Sequence, residues 1–164
     1  MKSKENNAMK KTTSAIVIIN PDGDILACHG TGRPWTCGYD FPKGCVEAGE
    51  EDMDAAIREL KEETGLSLEE LGRGGREHLK DCGVHTHSRE KNIHIFLYEV
   101  DGFPSLENLK CTTYFEHKGK TQPEMNGYRI IHPSERNRFN KVLWNKFEMI
   151  DKINRNETYE HTAD

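Results

Sequence analysis

Three carboxylates crowd together at Glu59, Glu62 and Glu63. In a helix these spacings put all three on one face. The residues before them predict a helix from about Glu51 to Thr64. Met53, Ala56, Ile57 and Leu60 recur at i, i+3, i+4 and i+7 as one apolar stripe. At 100° per residue the carboxylates lie about 110° around from that stripe. One side of the helix is thus expected to be buried, and a neighbouring side to show three like charges. Lys61 falls among them in sequence but points away. Like charges at this spacing repel, so a counter-charge is needed. A hard divalent cation supplies it economically, because Mg²⁺ and Mn²⁺ prefer oxygen ligands. Mg²⁺ typically uses one or two carboxylates, keeps several waters and binds substrate phosphates. The cluster therefore points to phosphate-ester or pyrophosphate chemistry. A solvated acidic helix face is the alternative reading.

The wider spacing weighs between these readings. Gly44 is followed after five residues by Glu50, and after seven more by Arg58-Glu59-Leu60. Lys61, Glu62-Glu63, Thr64 and Gly65-Leu66 complete the run. This fits the pattern G-x5-E-x7-R-E-U-x-E-E-x-G-U, with U aliphatic, at every fixed position. Seven fixed residues at average usage make a chance match about one in a hundred million per window. On this motif the chain resembles the Nudix hydrolases, and the pattern of flanking elements extends the resemblance over residues 13–154.

The resemblance implies an α+β fold, an α/β/α sandwich with a mixed β-sheet between helices. It implies hydrolysis of a nucleoside diphosphate linked to another moiety, with Mg²⁺ or Mn²⁺ as cofactor. Glu59, Glu62 and Glu63 become the metal carboxylates, joined by the backbone carbonyl of Lys43. Arg58 becomes the residue that orients a motif carboxylate, with Glu50 as its partner. Gly44 and Gly65 serve the backbone turns at the two ends. The general base is a motif glutamate or a loop glutamate well downstream. Glu116 and Glu124 precede the last expected strand, and Glu124 is preferred for its Pro/Gly-rich setting.

The substrate stays open at this level. Asp40-Phe41-Pro42-Lys43-Gly44 resembles the lead-in of members that cleave dinucleoside polyphosphates, capped or triphosphorylated RNA ends, or diphosphoinositol polyphosphates. Lys43 and Arg33 would bring positive charge to phosphates. Trp35, Tyr39, Tyr114 and Tyr128 could stack on a base, although packing roles are the commoner use of aromatics. The proline and tyrosine that mark ADP-ribose and dinucleoside tetraphosphate members are replaced by Lys80-Asp81-Cys82 and Gly83. The other readings are an RNA 5′-end pyrophosphohydrolase or decapping enzyme, and a nucleotide sensor that does not cleave. Retention of all the motif carboxylates argues against the sensor. His85, His87 and His94 lack the Cys or acid neighbours of a zinc site.

The positioning elements follow from patterning. Ser14–Asn20 and Ile25–His29 predict a hairpin about the Pro21-Asp22-Gly23-Asp24 turn. Residues 79–87, 92–100 and 127–132 predict further strands. Phe103 to Pro123 is poorly periodic. Ser134–Asn154 predicts a terminal helix with Phe139, Val142, Leu143, Phe147, Ile150 and Ile153 on one side. Residues 1–12 are expected to form a flexible leader and residues 155–164 a polar tail.

At 164 residues the length suits one domain. The net charge of −5 argues against binding nucleic acid or anionic lipid by bulk positive charge alone. No run approaches the roughly 18 apolar residues of a membrane helix. The five cysteines have irregular spacing and no CxxC, so they are expected to be reduced thiols in a cytoplasmic protein. The expected partner is a small nucleotide-type substrate, with an RNA 5′ end as the alternative. The chain is expected to be a monomer or homodimer.

Overall fold

A computed structural model of the chain describes residues 10–157. Most of the expected leader and residues 158–164 of the tail lie outside the described residues. The strands are β1 (Lys11–Ile19), β2 (Ile25–Gly30), β3 (Tyr39–Asp40), β4 (Lys43–Cys45), β5 (Lys80–Thr86), β6 (Lys91–Glu99), β7 (Tyr114–His117), β8 (Lys120–Pro123) and β9 (Met125–Ile131). The helices are α1 (Asp52–Thr64) and α2 (Phe147–Asn154), with 3-10 turns at Pro133–Arg138 and Lys141–Lys146 before α2. β1 thus begins two residues ahead of the expected domain boundary.

The main sheet runs β3-β2-β1-β6-β5, with β4 added beside β1 and β9 beside β2. It is mixed: β1 and β6 are parallel from Lys11↔Lys91 to Ile19↔Glu99, and the other named strand pairs are antiparallel. Alternate residues of β1 divide between its faces. Ala15, Val17 and Ile19 join a core with Phe139, Leu143, Phe147 and Ile150. Ile16 and Ile18 join a second core with Ala56 and Leu60 of α1. A half-buried strand alternates apolar and polar residues, whereas β1 is aliphatic on both sides because helical layers cover both. The sandwich and its α+β class agree with expectation.

The expected β1–β2 hairpin closes over one pair only, Ile19↔Ile25. The turn itself is well made: Gly23 has φ 87°, and the Asp24 N–H donates to Asn20 Oδ1 at 2.9 Å. Beyond it the strands part, and β4 takes the vacated edge of β1 through Thr13↔Cys45, Ser14↔Gly44 and Ala15↔Lys43. This split brings Gly44 to the middle of the sheet, under α1.

The long terminal helix is corrected. Phe139 is extended (ψ 152°), it bridges to Tyr39 of β3, and the Asn140 N–H donates to the Tyr39 carbonyl at 2.8 Å. That pairing interrupts the helix, so α2 starts only at Phe147. Residues 114–123, read as irregular, form the β7–β8 hairpin.

Arg136 ties the second layer down. Its guanidinium donates to both Asp151 oxygens (2.5 and 2.7 Å) and to the Gly23 carbonyl (3.1 Å), and it lies 4.7 Å from the Phe147 ring centroid. Removing one partner of such a pair strands the other charge. Arg136→Met is expected to destabilise the fold by about 2–3 kcal/mol, lowering Tm by roughly 4–10 °C. A thermal melt with an unchanged midpoint would refute this.

Candidate active site

The motif forms a loop, helix and loop as its spacing demands. α1 has acidic residues in its first turn, Asp52 and Asp54, where the helix dipole favours them. It stops at Gly65, whose φ of 80° suits the left-handed C-cap. Lys61 turns back to that end, its Nζ donating to the Gly65 carbonyl at 3.0 Å.

The three carboxylates are not equally exposed. Glu59 (8% exposed) and Glu63 (2% exposed) are buried against β4, while Glu62 stays at the surface edge. A Cβ added at Gly44 would lie 2.1 Å from both Cδ and Oε1 of Glu59, so only glycine lets β4 approach the helix. The Lys43 N–H donates to Glu63 Oε1 at 3.1 Å.

Arg58 is the hub. Its Nε and Nη2 donate to the two Glu50 oxygens (2.8 and 3.0 Å). Nη1 donates to Glu59 Oε1 (2.8 Å) and Glu62 Oε2 (3.1 Å), and Nη2 also donates to the Cys45 carbonyl (3.1 Å). Sequence reasoning expected the Glu50 pairing but not this bridge. Part of the carboxylate repulsion is therefore met by a guanidinium, and Glu63 lies outside its reach.

Electrostatics mark the same groups. Burial pushes the Glu63 carboxyl up to about 9, the Lys43 amide works against that, and the nearby Glu59 adds to it. Glu59 is also raised, by burial and then by Glu62, with Arg58 opposing. Glu50 is held below the ordinary carboxylate range by Arg58. Lys43 is raised: burial disfavours its charge, but Asp40, whose Oδ2 is 3.3 Å from its Nζ, and Glu63 outweigh that.

The donor set fits a hard divalent cation. The protein bonds described above leave Glu59 Oε2, Glu62 Oε1 and Glu63 Oε2 available. Among the described residues, no group of three or more His, Cys, Asp or Glu side chains is placed to hold a metal ion by itself.

A cavity of about 430 Å³ opens beside the carboxylates, lined by residues including Arg33, Asp40, Lys43, Phe115, Glu124 and Asn140. Glu124 is brought to the site and is close enough to Glu59 to raise its carboxyl. Its backbone is held by the Thr113 carbonyl and the Thr31 N–H (3.0 Å each). Glu116 lies on the exposed surface of the hairpin, accepting from Thr121 Oγ1 at 3.0 Å. The Arg33 N–H donates to the Gly30 carbonyl at 3.0 Å, and its guanidinium makes no ion pair or hydrogen bond among the described residues.

Tyr128 departs from its expected stacking role. Its hydroxyl donates to the Glu63 carbonyl at 2.5 Å, and its ring packs on the α1-side core. It braces the end of α1, together with Thr112, whose N–H donates to the Glu62 carbonyl at 2.7 Å. No local signal marks Thr112, because its partner is 50 positions away. The histidines are scattered: His85 Nε2 pairs with the Cys82 carbonyl (2.7 Å), and His94 lies between Asp52 (2.8 Å) and Asp81 (2.7 Å).

The NUDIX domain model matches residues 9–139, and the chain belongs to that family. Curated relatives match over shorter stretches. An RNA pyrophosphohydrolase of Halorhodospira halophila is 41% identical over 51 residues, 31% of this chain and 26% of its own length. An ADP-ribose pyrophosphatase of Methanocaldococcus jannaschii is 43% identical over 49 residues, 30% of this chain and 29% of its own. The matched stretch is thus about a quarter to a third of these relatives' length. Among solved structures, the E. coli ORF135 protein aligns with a TM-score of 0.58 at 20% identity, over 94% of this chain and 98% of that one. A C. elegans Ap4A hydrolase aligns with a TM-score of 0.51 at 16% identity, over 88% and 93%. These likenesses establish the fold.

Gly44→Ala is expected to lower kcat/KM by about a hundredfold, since displacing Glu59 by an ångström costs on that order. Steady-state kinetics with wild-type values would contradict the close packing of β4 on Glu59.

Proposed function

We propose that the chain hydrolyses a phosphoanhydride bond in a nucleoside diphosphate linked to another group. The observation that carries this reading is the buried pair Glu59 and Glu63, set against Gly44 and the Lys43 amide beside an open cavity. Glu59, Glu62, Glu63 and the Lys43 carbonyl would hold Mg²⁺ or Mn²⁺. Such an ion, when bound, neutralises phosphate charge and makes a coordinated water acidic. Arg58 keeps Glu59 and Glu62 apart and correctly turned. Lys43 and Arg33 take phosphate oxygens in the cavity, the guanidinium in a bidentate fork. Glu124 accepts the proton of the attacking water, a role supported by its place in the cavity wall. The irregular spacing of the five cysteines, with no CxxC, supports a cytoplasmic setting. No described helix is long and apolar enough to cross a membrane.

The test is a panel with Mg²⁺ and with Mn²⁺: dinucleoside polyphosphates, ADP-ribose, NADH, nucleoside triphosphates, and triphosphorylated and capped RNA. Products are resolved by chromatography. Cleavage between phosphates of one class, abolished by chelator, is expected. Tight nucleotide binding without cleavage would overturn the reading in favour of a sensor. Glu124→Gln is expected to lose about 10²–10⁴-fold in kcat; full activity in that variant would remove Glu124 from the base role.

A further inference from the structure

Ser14 is fully buried, yet its hydroxyl oxygen has no hydrogen-bond partner among the described residues. A buried hydroxyl left alone weakens a fold, so its place calls for a reason. The run that follows it, Ala15–Ile19, is wholly aliphatic. By the two-residue period of a strand, Ser14 shares a face of β1 with Ile16, which packs with Ala56 and Leu60 of α1. The hydroxyl therefore lies under α1. On one side its register partner is His94 of β6, whose ring nitrogens are already engaged by Asp52 (2.8 Å) and Asp81 (2.7 Å). On the other side the partner is Gly44 of β4. Gly44 has no side chain, and the Glu59 carboxyl fills the place of one. A Cβ there would lie 2.1 Å from Cδ and Oε1 and 2.5 Å from Oε2 of Glu59. Cβ positions directly opposite on antiparallel strands are about 4.5–5.5 Å apart. The Glu59 carboxyl thus takes the position of Ser14's cross-strand neighbour, a small side-chain turn from the hydroxyl.

Glu59 is itself 8% exposed, and its Oε1 accepts from Arg58 Nη1 at 2.8 Å. A carboxylate that ligates a cation is turned and fixed by hydrogen bonds from the residues behind it. Ser14 has the uncommitted donor, the burial and the position for such a bond. We propose that Ser14 is a positioning residue of the cation site: its hydroxyl donates to the Glu59 carboxylate from the β1 side when Glu59 turns to ligate Mg²⁺ or Mn²⁺. Glu59 is then held between the strand hydroxyl and the Arg58 guanidinium. This rests on the hydrolase reading above and adds the residue that backs its buried ligand.

The test separates folding from ligand positioning. Mn²⁺ binding to the full chain is read without substrate, from the electron paramagnetic resonance of the unbound ion. Ser14→Ala is expected to melt at or above wild type without metal, because it removes the unpartnered hydroxyl. The same variant is expected to bind Mn²⁺ about tenfold more weakly. Ser14→Cys keeps the volume but donates weakly, and it is expected to bind Mn²⁺ as weakly as Ser14→Ala. A hydroxyl that only supports the fold gives the opposite pattern, a lower metal-free melt with unchanged Mn²⁺ affinity, and that result overturns the proposal. Wild-type affinity in either variant also overturns it. A wild-type chain that takes up no Mn²⁺ overturns this proposal and the hydrolase reading together. Uptake that depends on Ser14 in a chain that cleaves no substrate keeps the positioning role and removes the hydrolase reading alone.

Discussion

Replacing Glu63 with glutamine is expected to abolish turnover while leaving the melting temperature at or above that of the wild type. Glu63 is 2% exposed and burial already disfavours its charge, so an uncharged isostere relieves the apo fold. Its Oε1 accepts the Lys43 N–H, and the glutamine carbonyl oxygen accepts the same bond. What is lost is the anionic oxygen that would face the cation. Removing one ligand charge should raise the barrier by about 4 kcal/mol, roughly a thousandfold in kcat. Two measurements are needed together, a thermal melt and steady-state kinetics. Retained activity would remove Glu63 from the metal set. A collapsed melt would mean that its role is structural.

Arg58→Ala should damage both activity and stability. One guanidinium serves Glu50, Glu59, Glu62 and the Cys45 carbonyl. Without it Glu59 and Glu62 repel directly, and Glu50 loses the partner that holds its carboxyl low. A fully buried pair broken on one side costs about 3–5 kcal/mol. A quarter of the Arg58 side chain is exposed (25%), so about 2–3 kcal/mol is expected here. The sign with pH follows from Glu50. Its depressed value means that its share of stability is present above the unfolded carboxylate range and fades as pH falls through the folded value. Wild type should therefore lose stability toward acid more steeply than Arg58→Ala. Activity should fall at least a hundredfold, and Arg58→Lys should not restore it, because an ammonium cannot span three carboxylates with fixed donors. A lysine variant of normal activity would refute the hub.

What the sequence makes legible is what is written within a few turns of chain. α1 shows its period through Met53, Ala56, Ile57 and Leu60, and its end through Gly65. The pairing of Arg58 with Glu50 follows from the motif. Its bonds to Glu59 and Glu62 depend on how far β4 approaches, which Gly44 sets from across the sheet. The break at Phe139–Asn140 is invisible locally, because Tyr39, the residue that pulls the chain straight, is 100 positions away. The β7–β8 hairpin hides for another reason. Its turn uses Lys118 and Gly119 at φ 52° and 75°, the geometry of a tight two-residue hairpin loop, and lysine gives no warning of a left-handed conformation. Tyr128 reads as a stacking ring because sequence shows an aromatic near a loop, not the carbonyl its hydroxyl reaches.

The parallel pairing of β1 with β6 also has a consequence for the order of assembly. The aliphatic run Ala15–Ile19 is synthesised about eighty residues ahead of the strand that pairs with it. At about 5–20 residues per second, the nascent chain carries that run without its parallel neighbour for several seconds. β4 arrives sooner but covers only Thr13–Ala15. The most apolar stretch of the protein is therefore its main liability on the ribosome. The carboxylate site, encoded between the two strands, becomes rigid only when the crossover closes.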